Sequence, residues 1–314
     1  MSLYKTLNKR MIQIQERFFR NSRVIGSPFH LVLEPGNFCN LKCPLCPTPV
    51  REKAIPKGML TFENAKKIID QFPALLHLNL SLWGEPLLNR EVFKIIGYAH
   101  SKNIEVLMQS NLNILDKEMA QSLIDSGLDI LQISLDGASQ EGYEKYRVGG
   151  DFNRVIENIK LIRDLQKAQS NFNTKITWKM VVHKYNEHEK EKAKELAENL
   201  GVDFMIVEIY TPPQLQGEWK PVNELDNNFK THTDIVNKCY SLWQVATVNF
   251  NGDVFPCCSE FSTRDVIGNV LNEPFKSIWN NGKFRELRKA NKGNTNCNAC
   301  HLDKETNWYK LWMS

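Results

Sequence analysis

Short apolar runs alternate with amphipathic segments along the stretch from residue 30 to residue 209. The runs predicted to be strands are residues 30–34, 77–82, 104–109, 129–135, 176–182 and 203–209. Helical patterns lie between them, at about residues 61–71, 90–102, 116–126, 151–168 and 187–200. Strands that are each followed by a helix pair in parallel through right-handed crossovers. Because a closed barrel of this kind needs eight such units, the six found here predict an α/β fold with an open, partial (β/α)6, TIM-like barrel.

Charge is unevenly distributed along the chain of 314 residues, whose net charge is +4. Residues 1–25 contain six basic side chains against Glu16 alone, together with several large apolar ones. We therefore predict a basic amphipathic helix within residues 1–29, packed on the domain surface; binding to a membrane surface or an anionic partner is the alternative. The barrel is predicted to span residues 30–210, followed by a linker and a smaller cysteine-bearing domain over residues 211–314.

The chain contains eight cysteines and no apolar run long enough to cross a membrane. We find no secretory signal, so we expect a cytoplasmic, reducing location in which the cysteines bind metal rather than form disulfides. We expect no nucleic-acid partner.

Three cysteines lie within eight residues shortly after the first predicted strand: Cys39, Cys43 and Cys46, spaced C-x3-C-x2-C. Three thiolates from one short loop suit a cubane iron–sulfur cluster, which normally has four protein ligands. An iron without a protein ligand leaves an open coordination position, which catalysis at a metal needs. A zinc site is one alternative, although no further histidine or cysteine follows until His77. A disulfide with a spare thiol is the other, and it would need an oxidising compartment.

The cysteine spacing resembles the signature of the radical S-adenosylmethionine (SAM) family. In that family the amino and carboxylate groups of SAM bind the fourth iron of a 4Fe–4S cluster, and one-electron reduction splits SAM into methionine and a 5′-deoxyadenosyl radical. The second predicted strand is followed by Trp83-Gly84-Glu85-Pro86, which is similar to the family's Gly-Gly-Glu-Pro element but has Trp in the first position. The resemblance implies that Trp83, Gly84 and Glu85 surround the amino group of SAM, with Glu85 accepting a hydrogen bond from the ammonium.

Two further strand ends carry residues that the resemblance assigns to SAM. Asn111 ends a Gln-Ser-Asn stretch similar to the family's Thr-Asn-Gly stretch near the adenosine, and Ser134 and Asp136 end the fourth strand. Ser134 and Asp136 alternate along an extended segment, so both point to one face, as contacts with the ribose require. In relatives a downstream arginine approaches the SAM carboxylate, which implies this function for Arg147. A surface ion pair between Arg147 and a nearby carboxylate is the alternative.

A second set of cysteines follows the predicted linker. Cys239 and Cys257 flank Gly252 in a C-x12-G-x4-C pattern, and Cys297 and Cys300 close the set as C-x2-C. The pattern resembles the SPASM/twitch extension of radical SAM enzymes. Because no cysteine follows Cys300, the resemblance implies the shorter twitch form, with one auxiliary 4Fe–4S cluster on these four thiolates; a structural zinc is the alternative. A predicted hairpin turning at Asn-Gly would bring Cys239 and Cys257 together.

Cys258 is the remaining cysteine, directly after Cys257. Neighbouring residues on an extended segment point in opposite directions, so only one of the two is expected to bind the cluster. Cys258 is then a small buried residue, a ligand in place of Cys257, or a hydrogen-atom donor that faces the substrate.

The ligand count predicts what the auxiliary cluster does. Four protein thiolates leave it no open iron, so we expect it to accept or relay an electron rather than to bind substrate. The resemblance then implies that the 5′-deoxyadenosyl radical removes a hydrogen atom and that a small molecule such as a sugar or aminocyclitol is oxidised. Epimerisation or peptide maturation is the second hypothesis, and a non-catalytic iron–sulfur or zinc protein is the third. A flavodoxin or ferredoxin is the expected electron donor, and Glu208, Tyr210 or Lys179 are candidates for the base.

Overall fold

The computed structural model describes residues 2–50, 56–169, 174–209, 216–222, 240–257 and 266–290. The strands in these ranges form one nine-stranded sheet, in the order β6-β5-β4-β3-β2-β1-β7-β8-β9. They are β1 (His30–Leu33), β2 (His77–Leu80), β3 (Glu105–Ser110), β4 (Ile130–Ser134), β5 (Lys175–Val182), β6 (Asp203–Glu208), β7 (Val245–Val248), β8 (Asp253–Phe255) and β9 (Gly268–Asn269). The first six coincide with the six predicted strands.

Strands β1 to β6 are parallel and neighbour one another in chain order. The helices in the described ranges are α1 (Leu3–Ile14), α2 (Pro47–Val50), α3 (Phe62–Ile69), α4 (Val92–Ser101), α5 (Lys117–Asp125), α6 (Gln140–Tyr146), α7 (Phe152–Ala168), α8 (Lys190–Leu200), α9 (Gln216–Trp219), α10 (Ser241–Gln244), α11 (Phe275–Trp279) and α12 (Gly282–Ala290). The α/β fold with a parallel, partial barrel is therefore confirmed. Helix α6 was not predicted; Ser139 caps it by accepting a hydrogen bond from the N–H of Gly142.

The sheet has an apolar outer face and a mixed inner face. On β1, Leu31 and Leu33 pack against the helices, whereas Val32 points to the other side and packs in a small cluster with Leu107 and Val245. Side chains alternate between the two faces along each strand. The polar residues that share the inner face are almost fully buried; they include Asn79, Gln132, Thr177, Lys179 and Thr247. A ligand inside the barrel would therefore meet polar side chains.

Strand β7 is the first strand of the predicted hairpin, and it extends the sheet beyond β1 through a pairing that was not predicted. The two strands are parallel, with His30 opposite Val245 and Leu33 opposite Val248. β8 and β9 then add in antiparallel fashion. Gly252 in the turn between β7 and β8 has φ +88°, a left-handed conformation that glycine tolerates, so the predicted Asn-Gly hairpin is confirmed. The predicted boundary between residues 210 and 211 lies outside the described residues and remains a prediction.

The N-terminal segment packs on residues from the far end of the chain. Trp243 Nε1 donates a hydrogen bond to the carbonyl of Asn21 (3.0 Å). The backbone of Val24 exchanges two hydrogen bonds with the side chain of Asn280 (2.9 and 3.0 Å). Helix α1, which precedes these contacts in the chain, lies within the predicted residues 1–29 and on the surface of the protein. None of the helices in the described ranges is both long and apolar enough to cross a bilayer.

Candidate active site

The cysteine loop, residues 34–46, leaves the carboxyl end of β1 and is fixed by backbone hydrogen bonds to two neighbouring segments. The N–H of Glu85 donates to the carbonyl of Phe38 (2.8 Å), and the N–H of Lys42 donates to the carbonyl of Val148 (3.0 Å). The segments after β2 and after α6 therefore hold the loop from two sides. The barrel, rather than the loop sequence alone, sets the loop conformation.

Gly84 is required by the close approach of two backbone segments. A β-carbon at this position would lie 1.9 Å from the carbonyl oxygen of Gly36 and 2.9 Å from the Cα atom of Asn37. No side chain fits there. The carbonyl of Trp83 accepts a hydrogen bond from the hydroxyl of Thr48. The Trp83-Gly84-Glu85 segment therefore braces the cysteine loop, and its contact with SAM remains a prediction.

Cys39, Cys43 and Cys46 lie on this loop and form no disulfide. Nitrogen donors face two of the sulfurs: Asn111 Nδ2 lies 3.9 Å from Cys39 Sγ, and Arg147 Nη1 lies 3.8 Å from Cys43 Sγ. Burial raises the pKa of Cys39 to about 11 and also raises the pKa of Cys43. Within the described ranges, no three Cys, His, Asp or Glu side chains are placed to hold a single metal ion. Three soft sulfur donors on one loop, with N–H groups directed at them, fit the thiolate ligands of an iron–sulfur cluster.

The carboxylate of Glu85 is buried and joins the ends of β2 and β3. Its Oε1 accepts hydrogen bonds from the hydroxyl of Ser110 (2.7 Å) and the N–H of Leu87 (3.1 Å), and its Oε2 accepts one from the N–H of Asn111 (2.8 Å). Burial raises the pKa of Glu85, and these three donors oppose that rise. A carboxylate has about four acceptor positions, so Glu85 can accept one more donor, such as the ammonium that the resemblance implies.

Asn111 connects this carboxylate to the cysteine loop. Besides the Cys39 sulfur, its Nδ2 reaches the side-chain oxygen of Asn40 (2.9 Å), and its Oδ1 accepts from the N–H of Asn113 (3.0 Å). The side chain is therefore used to hold the loop, and its contact with SAM remains a prediction.

Asp136 and Arg147 form a largely buried ion pair. Arg147 Nε lies 2.5 Å from Asp136 Oδ2, while Asp136 Oδ1 accepts a hydrogen bond from the N–H of Val181 (2.7 Å). Burial alone would lower the pKa of Arg147. The charges of Asp136 and Cys43 outweigh this effect and raise the pKa above its ordinary value, so the guanidinium stays charged. The partner of Arg147 is thus not a surface carboxylate. Asp136 orients Arg147 toward Cys43, and the predicted contacts of both residues with SAM remain predictions.

The other predicted site residues are only partly described. Ser134 ends β4 and lies opposite Lys179 of β5. Cys257 is partly exposed and follows β8. Five further residues lie outside the described ranges: Cys239, Cys258, Cys297, Cys300 and Tyr210.

Glu34, at the end of β1, was not singled out from the sequence. Its side chain is buried and accepts hydrogen bonds from the backbone N–H groups of Trp83 and Phe250. Glu34 therefore ties β1 both to the turn after β2 and to the β7–β8 turn. Burial raises the pKa of Glu34 to about 7, and the two N–H groups and Lys57 oppose that rise. A lone glutamate after a strand carries no sequence signal, because the hairpin that covers it lies far later in the chain.

This buried carboxyl group predicts a pH dependence of stability. The pKa of Glu34 is raised from 4.5 to about 7, so between these pH values the folded chain binds the proton more tightly than the unfolded chain does. The free energy of unfolding should therefore fall by at most about 3 kcal/mol as the pH rises through this interval, and stay level above it. Urea unfolding of anaerobic protein across the interval measures the slope. Glu34→Gln should remove this contribution, while Glu118→Gln on the exposed side of α5 should keep it; equal slopes in wild type and Glu34→Gln would contradict the prediction.

Two family profiles match the chain. The profile of the radical SAM superfamily matches residues 33–197, which is more than half of the chain. The profile of SPASM, an iron-sulfur cluster-binding domain, matches residues 239–301. The two matched regions contain the first and the second set of cysteines, respectively.

Similar proteins cover most of the chain. It is 27% identical over 312 residues to the AdoMet-dependent heme synthase of Methanosarcina barkeri, with 85% of this chain and 86% of that protein aligned. It is 23% identical over 314 residues to the mycofactocin maturase MftC of Mycobacterium tuberculosis, with 90% and 78% aligned. The structure of SuiB from Streptococcus suis bound to S-adenosylmethionine has a similar fold, with a TM-score of 0.67 at 16% identity over 96% of this chain and 76% of that one.

These matches bear on the cofactors as well as on the fold. A radical SAM domain uses a 4Fe–4S cluster and SAM, and a SPASM domain holds auxiliary iron–sulfur clusters. Both fit the two separate sets of cysteines. The chain belongs to the radical SAM superfamily, as a radical SAM enzyme with a C-terminal SPASM domain.

Proposed function

We propose that this enzyme oxidises a small polar molecule at a C–H bond, with an auxiliary cluster as the electron acceptor. When bound, the first cluster and SAM supply the radical chemistry that removes the hydrogen atom. The pairing of β7 with β1 carries the proposal, because the SPASM region then begins beside the strand that leads to Cys39. β8 runs in the opposite direction, so Cys257 follows a strand that points away from the cysteine loop. The position of Cys257 therefore favours electron transfer over direct binding of substrate by this cysteine.

The inner face of the barrel supports a small polar substrate. Near the carboxyl ends of the strands, Lys179 Nζ lies 3.4 Å from Gln109 Oε1. Gln132 Oε1 and Thr177 Oγ1 are buried on the same face and have no hydrogen-bond partner among the described residues. A buried polar atom without a partner costs about 1–3 kcal/mol. The polar character of this face therefore suits the hydroxyl or amino groups of a sugar or aminocyclitol better than an apolar ligand.

Two other substrate classes follow from the relatives. A step in haem formation is the second candidate, because the AdoMet-dependent heme synthase of Methanosarcina barkeri aligns along 85% of this chain and 86% of its own length. Peptide maturation is supported in the same way by similarity to mycofactocin maturase MftC. The three classes differ in substrate size, so a panel of sugars and aminocyclitols, haem precursors and short peptides separates them.

The test uses anaerobically reconstituted enzyme with SAM and a chemical reductant. Each substrate class is added in turn, and the correct one is expected to raise 5′-deoxyadenosine formation and to yield a product lighter by a pair of hydrogen atoms. The double variant Cys297→Ala/Cys300→Ala is expected to form 5′-deoxyadenosine but no oxidised product, because the electron acceptor is lost while the first cluster remains. Full product formation by that variant would contradict the proposal.

Cys258→Ala is the control that separates oxidation from epimerisation. A dehydrogenase would still form product in this variant, because Cys258 would only fill space. In deuterated water, oxidation to a carbonyl leaves no deuterium at the reacting carbon, whereas an exchangeable thiol donor would place one there. Deuterium incorporation that disappears in Cys258→Ala would overturn oxidation in favour of epimerisation.

A further inference from the structure

Helix α1 and the π-helical turn that continues it (Gln15–Phe19) pack on the protein through one apolar and two amide side chains. Asn8, Ile12 and Gln15 are buried there. The side chain of Asn8 exchanges hydrogen bonds of 2.8 and 3.0 Å with the backbone of Ser27. The side chain of Gln15 exchanges hydrogen bonds of 2.8 and 2.9 Å with the backbone of Ile25. The amide side chains, which usually face water on a surface helix, therefore anchor this one.

The outward side of the same segment is an apolar stripe made of Leu3, Leu7, Ile14 and Phe18. Residues four and seven apart lie on one side of a helix. The exposed fractions of these side chains are 75%, 55%, 50% and 69%, respectively. Seven of the twelve exposed large hydrophobic side chains in the described ranges fall within residues 3–25. A contiguous exposed stripe of this kind marks a binding surface rather than ordinary protein surface.

Basic side chains lie beside the stripe. Arg10 and Arg17 are exposed and follow Leu7 and Ile14 by three residues each, so they border the stripe. Glu16, which lies 3.8 Å from Arg20 in an ion pair, cannot neutralise the six basic side chains of residues 1–25. A second copy of the chain would bring the arginines of two stripes together, and like charges at close range repel. The charge therefore favours an anionic partner over self-association.

We propose that the stripe binds the surface of a bilayer that contains anionic lipids. The apolar side chains enter the boundary between headgroups and acyl chains, while Arg10 and Arg17 meet lipid phosphates. An apolar side bordered by cations is the pattern of helices that lie in the plane of this interface. The proposal is independent of the oxidation proposed above.

Sedimentation with vesicles tests the proposal on the anaerobically reconstituted chain of 314 residues. One set of vesicles contains phosphatidylcholine alone, and the other contains phosphatidylcholine mixed with phosphatidylglycerol. The protein is expected to pellet with the mixed vesicles, less so with the neutral ones, and less at high salt. Leu7→Ser/Ile14→Ser should lower the partition coefficient on mixed vesicles about tenfold or more. Arg10→Glu/Arg17→Glu should lower binding to mixed vesicles to at most the level seen with neutral ones.

Matched controls separate this contact from general surface effects. Val222→Ser replaces a side chain that is 78% exposed outside the stripe, and Lys192→Glu/Lys194→Glu makes the same change of charge on the exposed side of α8. Both controls should bind as the wild type does, and iron content should be equal in all variants. Absence of vesicle binding by the wild type, or equal binding by the stripe variants, would overturn the proposal. The proposal would also be overturned if the wild-type protein did not bind vesicles but had twice the monomer mass in solution, and the stripe variants had the monomer mass. That result would assign the stripe to contact with a second copy of the chain.

Discussion

Replacing Cys39, Cys43 and Cys46 together by alanine is expected to remove half of the iron from the protein. The unmodified chain, reconstituted without oxygen, should hold about eight irons as two 4Fe–4S clusters. The triple variant keeps the second set of cysteines, so about four irons should remain. Iron and acid-labile sulfide, measured per chain, give the result directly.

The complementary variant is Cys297→Ala/Cys300→Ala, which should also lose about half of the iron because it disrupts the other cluster. Full iron content in the triple variant would contradict the assignment of Cys39, Cys43 and Cys46 as cluster ligands. Iron near four per chain in the unmodified protein, accompanied by stoichiometric zinc, would contradict the second cluster instead.

Replacing Gly84 by alanine is expected to displace the cysteine loop and prevent stable assembly of the first cluster. The added β-carbon would lie 1.9 Å from the carbonyl oxygen of Gly36, and neither backbone segment can move alone because the N–H of Glu85 donates to Phe38 on the same loop. Overpacking typically costs about 1–3 kcal/mol and occasionally more, and a clash with backbone lies at the upper end because the backbone cannot rotate away. Iron content and SAM affinity should therefore both fall.

Gly97→Ala is the matched control for this substitution. A β-carbon at Gly97 meets its nearest neighbour, the carbonyl oxygen of Ser126, at an ordinary 3.8 Å. Gly97 lies within α4, where alanine is about 0.5–1 kcal/mol better than glycine. This control should keep its iron and unfold at the same or higher urea concentration. A Gly84→Ala protein with full iron and unchanged SAM affinity would show that the loop tolerates the displacement.

The parallel strands could be predicted because their signal is local. Each of the six runs is short and apolar and is followed by a helix with an apolar side, so β1 to β6 follow from the pattern of neighbouring residues. Strand β7 is as short and apolar as these six strands, but its partner β1 lies more than 200 residues earlier in the chain. Nothing in residues 245–248 identifies that partner, so the continuous sheet between the two cysteine-bearing regions could not be predicted.

The metal-binding cysteines of the candidate site could be predicted, because their residue type and spacing alone indicate an iron–sulfur cluster. The structural roles of the surrounding residues could not be predicted, because they depend on contacts with distant parts of the chain. The motifs gave no sign that Gly84 also approaches the backbone of Gly36. Nor did they indicate that Asp136 and Arg147 pair with each other, in addition to the contacts with SAM that remain predictions. Glu34 belongs to no motif, and its contacts with the N–H groups of Trp83 and Phe250 come from segments far along the chain.

The N-terminal helix illustrates the same limit. Its amphipathic pattern was correctly interpreted as a surface helix, and such helices usually bury their apolar side. In the structure Ile12 is buried, but Leu3, Leu7 and Ile14 face outward, because Asn8 and Gln15 satisfy backbone groups of the segment that follows. Orientation depends on those tertiary hydrogen bonds, which helical periodicity does not encode.

The loop that carries Cys39, Cys43 and Cys46 is expected to make this protein cleave SAM reductively. The most direct test is the amount of 5′-deoxyadenosine formed from SAM by unmodified protein and by the triple alanine variant, both with a strong reductant and without oxygen. Formation by the unmodified protein and only background in the variant, although the variant still holds about four irons, is the predicted result. Equal 5′-deoxyadenosine from both proteins, or none from unmodified protein that holds both clusters, would contradict the claim.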